Sequence, residues 1–535
     1  MMGALLLIAF AVPLAMLVAC LSPQRRALMA DWLPLAPVPA LLAALFAPGA
    51  QLALPQALLS LRFALDVPGA ILLGCASLLW IAGGAWLRGQ PHSGRIVAWW
   101  LLTLSGSIGV FMAADLVSFY LVYAMVSLAA YGFVIDDGSS RSRRAGLIYV
   151  ILAVMGEAFL LMAFVLLAQA IPGDSLLIRD AVAALPGSPA HNAILALLIL
   201  GFGAKIGLVP FHVWMPLSYR AAPIAAAAVM SGAAVKAGVI GLIRFLPLGA
   251  AQPAWGGVLV VVGLFSAYFG VAVGVTQSNP RTVLAYSSVS QMGLLAAVFG
   301  VGLSAGDDAV ALAAALYAAH HILVKGTLFL SVGVVQAGGR RRLWWFLLPT
   351  AILALSLAGL PFTGGAVAKI AMKDALGSGF VAGLATLSAA GSALLMLHFL
   401  GRLAATAIRE VGRPASLVVP WALMAIACVA VPWALYLTLG GGTVAYALSP
   451  WVLWAALWPI LLGVVLAVAL ARWGNRLPSV PPGDIIGFAP EAERFAGAAG
   501  GAAERLDGTL RRWPVAGVSL LTLAVVLGLA LLAGY

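Results

Sequence analysis

The chain contains five lysines among 535 residues: Lys205, Lys236, Lys325, Lys369 and Lys373. None lies in an evident loop, and all the positive charge between apolar runs is arginine. Arginine keeps its proton in any protein setting, whereas a lysine amine taken out of water can release one. Fixed and switchable charge are therefore kept apart along this sequence. Placing a lysine deep in a bilayer span costs about 3 kcal/mol on insertion scales unless it is paired or wet. Lys373 sits where it can snorkel to a span end, but Lys205, Lys236 and Lys325 lie well inside. Amines buried at that cost point to carriage of protons or cations through the membrane.

Other titratable groups fall near these lysines. Glu157 is the one glutamate inside a confident span, and Lys205 is the natural partner to keep it ionised. His321 and Lys325 are four residues apart and share a helix face, as do Lys369 and Lys373. An imidazole one turn from an amine makes a plausible relay, because histidine titrates near neutral pH. His320 points off that face and reads as a packed or loop-facing residue. His212 follows a proline break and is a candidate link between Lys205 and water. His191 and His398 carry no claim. Cys20, Cys75 and Cys428 are far apart and the histidines lack ligand spacing, so neither a metal nor an iron–sulfur cofactor is expected.

The elements that hold these groups must be membrane helices. Hydrophobic residues make up 64% of the chain and charged ones 9%, too few charges to cover a soluble protein of this length. The net charge of +12 would suggest nucleic acid in a soluble protein, but here arginines in short loops account for it. Sixteen candidate spans run near 2–22, 33–49, 67–88, 95–113, 115–135, 145–171, 192–215, 221–247, 255–277, 281–302, 309–336, 343–376, 379–402, 417–438, 449–472 and 515–533. No alternating strand signal competes with them. The first run ends in Leu-Val-Ala-Cys but lacks a basic leader region, and is read as a retained span. With the N-terminus outside, 21 of the 24 arginines fall on the inner side, leaving Arg62, Arg179 and Arg244 outside. The longest polar stretch, 473–514, is then a cytoplasmic loop. Two spans carry internal breakers: Pro210 follows Lys205, while Pro361, Gly364 and Gly365 precede Lys369. Broken helices in corresponding parts of two halves suggest inverted repeats around a site at mid-membrane depth.

Four segments carry a family resemblance. They are 201–217 (Gly-Phe-Gly-Ala-Lys-Ile-Gly-Leu-Val-Pro-Phe-His and onward), 221–244 (with Ser231-Gly232 and Lys236), 280–293 (Pro-Arg-Thr-Val-Leu-Ala-Tyr-Ser-Ser-Val-Ser-Gln-Met-Gly) and 317–333 (with His321 and Lys325). Together they resemble the antiporter-like membrane subunits of respiratory complex I, group 4 membrane-bound hydrogenases and Mrp-type cation/proton antiporters, over about residues 105–400. The resemblance implies an all-α polytopic fold with a core of fourteen helices and two inverted five-helix repeats. Boundaries would then be 1–94 for the N-terminal spans, 95–247 and 248–402 for the repeats, and 403–535 for the C-terminal spans. It implies a subunit of a larger membrane assembly, doing no redox chemistry itself, in a bacterial plasma membrane. The proton pathway would comprise Lys205 as the central lysine, Lys236 on the next helix, Lys325 with His321, and Lys369 as the terminal group, joined by Glu157 and His212. The alternatives are an Mrp-type cation/proton antiporter subunit and a non-transporting scaffold for a soluble enzyme. Two departures stand out. Ala124 occupies the place of the glutamate that pairs with the family's central lysine, and Glu157 is the expected substitute. Asn279 stands where an acidic residue often precedes the Arg-Thr-Val-Leu-Ala-Tyr run.

Overall fold

The computed structural model describes residues 2–56, 61–88, 90, 93–171, 173, 175–407, 415–474 and 480–484. The chain divides into a large unit, Met1–Pro482, and a small one, Gly483–Tyr535. The span expected at 515–533 and most of the 473–514 loop lie outside the described residues.

Helices α1 (Met2–Ala19), α2 (Pro23–Trp32) and α3 (Val38–Phe46) lead into a hairpin of β1 (Gln51–Leu54) and β2 (Leu61–Ala64). Then come α4 (Val67–Arg88), α5 (Gly94–Met112), α6 (Leu116–Ala129), α7 (Tyr131–Val134), α8 (Ser140–Ala170) and α9 (Ile178–Ala184). The middle of the chain holds α10 (His191–Ile206), α11 (Trp214–Ala221), α12 (Ile224–Val229), α13 (Lys236–Phe245), α14 (Pro253–Gly274), α15 (Pro280–Ala305) and α16 (Val310–Gly338). Last are α17 (Leu343–Ser356), α18 (Gly364–Leu376), α19 (Phe380–Ala405), α20 (Ala415–Thr438), α21 (Val444–Ala447) and α22 (Pro450–Trp473).

Among the described residues, 14 helical stretches are long and apolar enough to cross a membrane. They match fourteen of the sixteen expected spans, the second beginning at Pro23 rather than residue 33. The twelfth expected span, 343–376, is α17 and α18 with a break between them. The hairpin was not expected. It is antiparallel, pairing Gln51 with Ala64, and too short to show alternation in the sequence.

Two stretches are buried along the whole of their most apolar part, Ile224–Phe245 and Val310–Gly338. They carry Lys236 on one and His320, His321 and Lys325 on the other. Outer helices turn apolar side chains outward, as Ile151, Val154 and Met162 of α8 do. Without a hydrophobic force between helices in lipid, close backbone approach must hold them together. Helices α14 and α15 show this most clearly. Gly256, Gly263 and Gly270 recur every seven residues on α14 and face Gly300, Gly293 and Tyr286 of α15. A Cβ at Gly263 would lie 2.6 Å from both Ala297 N and Gly293 O.

At one end of the bundle Arg244 ties several elements together. Its guanidinium donates to Asp66 Oδ1 (3.0 Å) and to the carbonyls of Val110, Phe111 and Ala113. Asp115 caps α6 by accepting from Ser118 N at 2.8 Å and also accepts from Arg62 N at 2.6 Å. Arg62, Arg179 and Arg244, the three arginines assigned to a common side, border one cavity of about 330 Å³ here.

Candidate functional site: a buried line of amines

The first break lies where the sequence places it. Helix α10 ends at Gly207, whose φ of 76° only glycine adopts readily. The interruption frees backbone groups, and Ser266 Oγ of α14 accepts the Val209 N–H at 3.0 Å. Lys205, in the last turn of α10, donates from Nζ to Ser127 Oγ at 2.7 Å and lies 5.6 Å from the centre of the Tyr123 ring. The adjoining cavity, bounded by Ser127, Tyr149, Gly156 and Trp214, is about 10 Å³, roughly the room one water needs.

Glu157 is 6% exposed, and its Oε1 finds no hydrogen-bond partner. Among the described residues no direct ion pair joins it to Lys205. It acts on Lys205 electrostatically and meets the Ser127 hydroxyl, so Ser127 stands between carboxylate and amine. Sequence reasoning gave Ser127 no role, since a serine in a span carries no charge to be explained.

The middle of the line centres on Lys236. The stretch Met230–Ala234 just before it is a π-helical turn, a feature that concentrates at functional sites. Lys236 Nζ lies 3.3 Å from Ser231 O, inside that turn, and 2.7 Å from His321 Nδ1 of α16. His321 thus pairs with Lys236 on another helix rather than with Lys325 on its own. Lys325 Nζ instead donates to Leu284 O of α15 at 2.8 Å. Lys236 and Lys325 are 0% exposed and Lys205 7%. Helices α10 and α13 are pressed together at Gly238, where a Cβ would meet Lys205 Cβ at 3.1 Å.

The second break spans 357–363. Gly359 has a φ of 95° and Phe362 one of 67°, the only described non-glycine residue with positive φ. Lys369 Nζ donates to Ala358 O at 2.8 Å, and Gly365 N donates to Ser356 Oγ at 3.0 Å. Side chains therefore meet the backbone freed by this break. The lysine precedes the first break and follows the second, as the sequence indicates. Lys369 is half-buried and Lys373 exposed, and both border an otherwise largely apolar cavity of about 230 Å³.

His320, read from the sequence as a packed or loop-facing residue, is packed and also hydrogen-bonded to another element. It is buried, with Nε2 2.9 Å from Ser356 Oγ at the end of α17. Tyr317, one turn earlier, hydrogen-bonds Gln291, which donates to Ser392 Oγ at 2.8 Å. Neither Gln291 nor Tyr317 was singled out from sequence. His212 is buried against Phe269 (ring centres 5.0 Å apart) and Tyr286 (6.1 Å), outside the cavity that borders Lys205. His191 and His398 serve as ties between elements, His191 to Gln252 at 3.0 Å and His398 to Gln277 O at 2.8 Å. Asn279 caps α15 through Oδ1, 2.9 Å from Arg281 N, a role an acidic side chain would also fill.

At the opposite end from Arg244, a cavity of about 320 Å³ is bordered by Asp137, Ala222, Asn279, Arg281 and Gln336. Arg281 donates to Ala222 O at 2.7 Å. Hydrogen bonds from Ser142 and Ser139, aided by Arg141, hold the Asp137 carboxyl below the usual carboxylate range against the smaller opposing effect of burial.

The family described as "NADH:quinone oxidoreductase/Mrp antiporter, TM" matches residues 113–398. Hydrogenase-4 component B of Escherichia coli (strain K12) is 32% identical over 228 residues, 41% of this chain and 34% of that protein. F(420)H(2) dehydrogenase subunit N of Methanosarcina mazei is 25% identical over 62% of this chain and 71% of its own. Na(+)/H(+) antiporter subunit A1 of Staphylococcus aureus (strain JH9) is 29% identical over 56% of this chain and 40% of its own. The chain thus matches only about a third of the length of the hydrogenase component. In fold it is similar to a chain of the Mrp complex from Dietzia sp. DQ12-45-1b, with a TM-score of 0.79 and 23% identity, covering 99% of this chain and 63% of that one. An archaeal membrane-bound sulfane sulfur reductase complex gives a TM-score of 0.71 at 20% identity, covering 97% and 99%.

Proposed function

The chain belongs to the NADH:quinone oxidoreductase/Mrp antiporter family of multi-pass membrane proteins, and from that premise we propose that it is the proton-translocating subunit of a larger membrane assembly. The observation that carries the reading is the contact of Lys236 Nζ with His321 Nδ1, 2.7 Å apart at two fully buried positions. An ammonium facing an imidazole nitrogen is a proton already on a path from one to the other. Desolvating both is costly and serves no packing need that leucine would not meet better. Lys205 with Glu157 on one flank, and Lys325 and Lys369 on the other, extend the line. His212 is assigned to the water route near the first break.

The two breaks are taken as equivalent parts of two inverted repeats, 95–247 and 248–402, flanked by 1–94 and 403–535. The partners are other membrane subunits, and the membrane is the bacterial plasma membrane with the arginine-rich side facing the cytoplasm. A partner's movement or charge change would shift the Glu157–Lys205 balance, and the proton would pass from Lys205 toward Lys369.

The test is proton flux in vesicles containing the assembly, driven by an imposed membrane potential. Lys236→Met and Lys205→Met should each lower flux about tenfold or more with assembly unchanged. Wild-type flux in both variants would sink the reading and favour a scaffold. Flux that requires a sodium gradient would favour the antiporter reading.

A further inference from the structure

We infer that His320 is a proton-relay residue that joins the central Lys236–His321 pair to Lys369 through the Ser356 hydroxyl. The inference rests on the proton-translocating reading above. It names a step that reading leaves open, because among the described residues no hydrogen bond joins Lys236, His321 or Lys325 directly to Lys369.

Successive residues on a helix point about 100° apart, so His320 and His321 address different neighbours from one position in α16. His321 faces α13, with Nδ1 2.7 Å from Lys236 Nζ. His320 faces the second break, with Nε2 2.9 Å from Ser356 Oγ. Ser356 Oγ also accepts the N–H of Gly365, at 3.0 Å. That bond fixes the hydroxyl at the mouth of α18, the helix that carries Lys369. A Cβ on Gly365 would lie 1.6 Å from Ser356 O, so only glycine lets the two pieces approach this closely. Lys369 acts electrostatically on His320, and His320 on His321.

Each ring uses one nitrogen and leaves the other without a partner: His321 Nε2 and His320 Nδ1 are both buried and unbonded. A buried polar atom without a partner costs about 1–3 kcal/mol. Two such atoms on adjacent residues are expensive as packing but apt as the two ends of a hop. The step balances without any redox partner. The Lys236 Nζ–H bond breaks as an Nδ1–H bond forms on His321, and the Nε2 proton of His321 leaves for His320 Nδ1, directly or through one water. The Nε2 proton of His320 then passes to Ser356 Oγ, and the Ser356 proton goes on through an intervening water to the amine of Lys369, one helical turn past Gly365.

The experiment measures potential-driven proton flux, per assembled complex, for His320→Asn, Ser356→Ala and Lys236→Met. Asparagine places an amide near the Nδ1 position, too short to reach Ser356 as Nε2 does, and it cannot take a proton at one atom and release it from another. His320→Asn should lower flux about tenfold or more, and its residual flux should show a larger solvent deuterium effect than wild type. Ser356→Ala should lower flux in the same direction. Wild-type flux in His320→Asn while Lys236→Met is inactive would overturn the inference and leave the proton reading standing. Wild-type flux in Lys236→Met would overturn that reading itself. Should His320→Asn fail to assemble, Ser356→Ala decides: unchanged flux in it rejects the relay.

Discussion

Ser127 shows how a residue without charge can complete a charged site. The carboxylate expected at position 124 is replaced by Ala124, and Glu157 on α8 is the sequence's candidate substitute. In the structure Glu157 makes no direct ion pair with Lys205 among the described residues. The Lys205 amine rests on Ser127 Oγ at 2.7 Å, one turn from Ala124 on α6. Ser127→Ala leaves a buried ammonium without its acceptor, at a cost of about 1–3 kcal/mol. We expect proton flux to fall several-fold in Ser127→Ala and to be largely retained in Ser127→Thr. If Ser127 transmits the influence of Glu157, then Glu157→Gln should cost little more in the Ser127→Ala background than Ser127→Ala alone. Additive losses in the double variant would show that the two residues act independently. The lysines were legible in the sequence because an amine in a span demands a reason. Ser127, Gln291 and Ser356 were not, because hydroxyl and amide side chains occur throughout membrane helices. The bond from His320 to Ser356 was not legible either, because the helical angle of His320 excludes the face of Lys325 and the sequence cannot show that another break lies on its own face.

At the scale of the element, the breaks were readable and the seams were not. Pro210, Pro361, Gly364 and Gly365 mark both interruptions, and the structure interrupts the helices at 207–213 and 357–363. The α14–α15 seam is written as Gly256, Gly263 and Gly270, but glycines are so frequent in this chain that the seven-residue spacing does not stand out. Its energetic role can be tested against a built-in control. A methyl at Gly263 would meet backbone at 2.6 Å, whereas Gly257, also on α14, has nothing within 4 Å of the same position. Gly263→Ala should destabilise by about 1–3 kcal/mol through overpacking. Gly257→Ala should be neutral or slightly stabilising, since alanine is favoured over glycine in a helix by about 1 kcal/mol. Thermal unfolding in detergent distinguishes them: a lower midpoint for Gly263→Ala with none for Gly257→Ala is expected. Equal midpoints would mean that the seam tolerates separation.

Across the whole molecule, topology was the most legible property, because lipid forbids unsatisfied backbone and so forces helices. Counting arginines then fixed an alternation that fits the structure's connectivity. Arg62, Arg179 and Arg244 gather at one end, while Arg281 borders the cavity at the other. The short hairpin escaped notice because it lies between spans, where hydropathy says little. Sidedness itself makes a prediction. Asp308, before α16, and Arg341, after it, are both exposed and lie beyond opposite ends of one continuous helix of 29 residues. At about 1.5 Å per residue that helix exceeds the roughly 30 Å hydrocarbon core, so the two positions reach opposite aqueous faces. The native cysteines Cys20, Cys75 and Cys428 are all buried, which keeps background labelling low. Arg341→Cys should react with a membrane-impermeant maleimide only from the cytoplasmic side, in inverted vesicles, and Asp308→Cys only from the outside of intact cells. The reverse pattern would invert the orientation, so that Lys369, beyond the second break, would face the cytoplasm instead. Labelling of both positions from one side would break the alternation and with it the assignment of the two broken helices to opposite directions through the membrane.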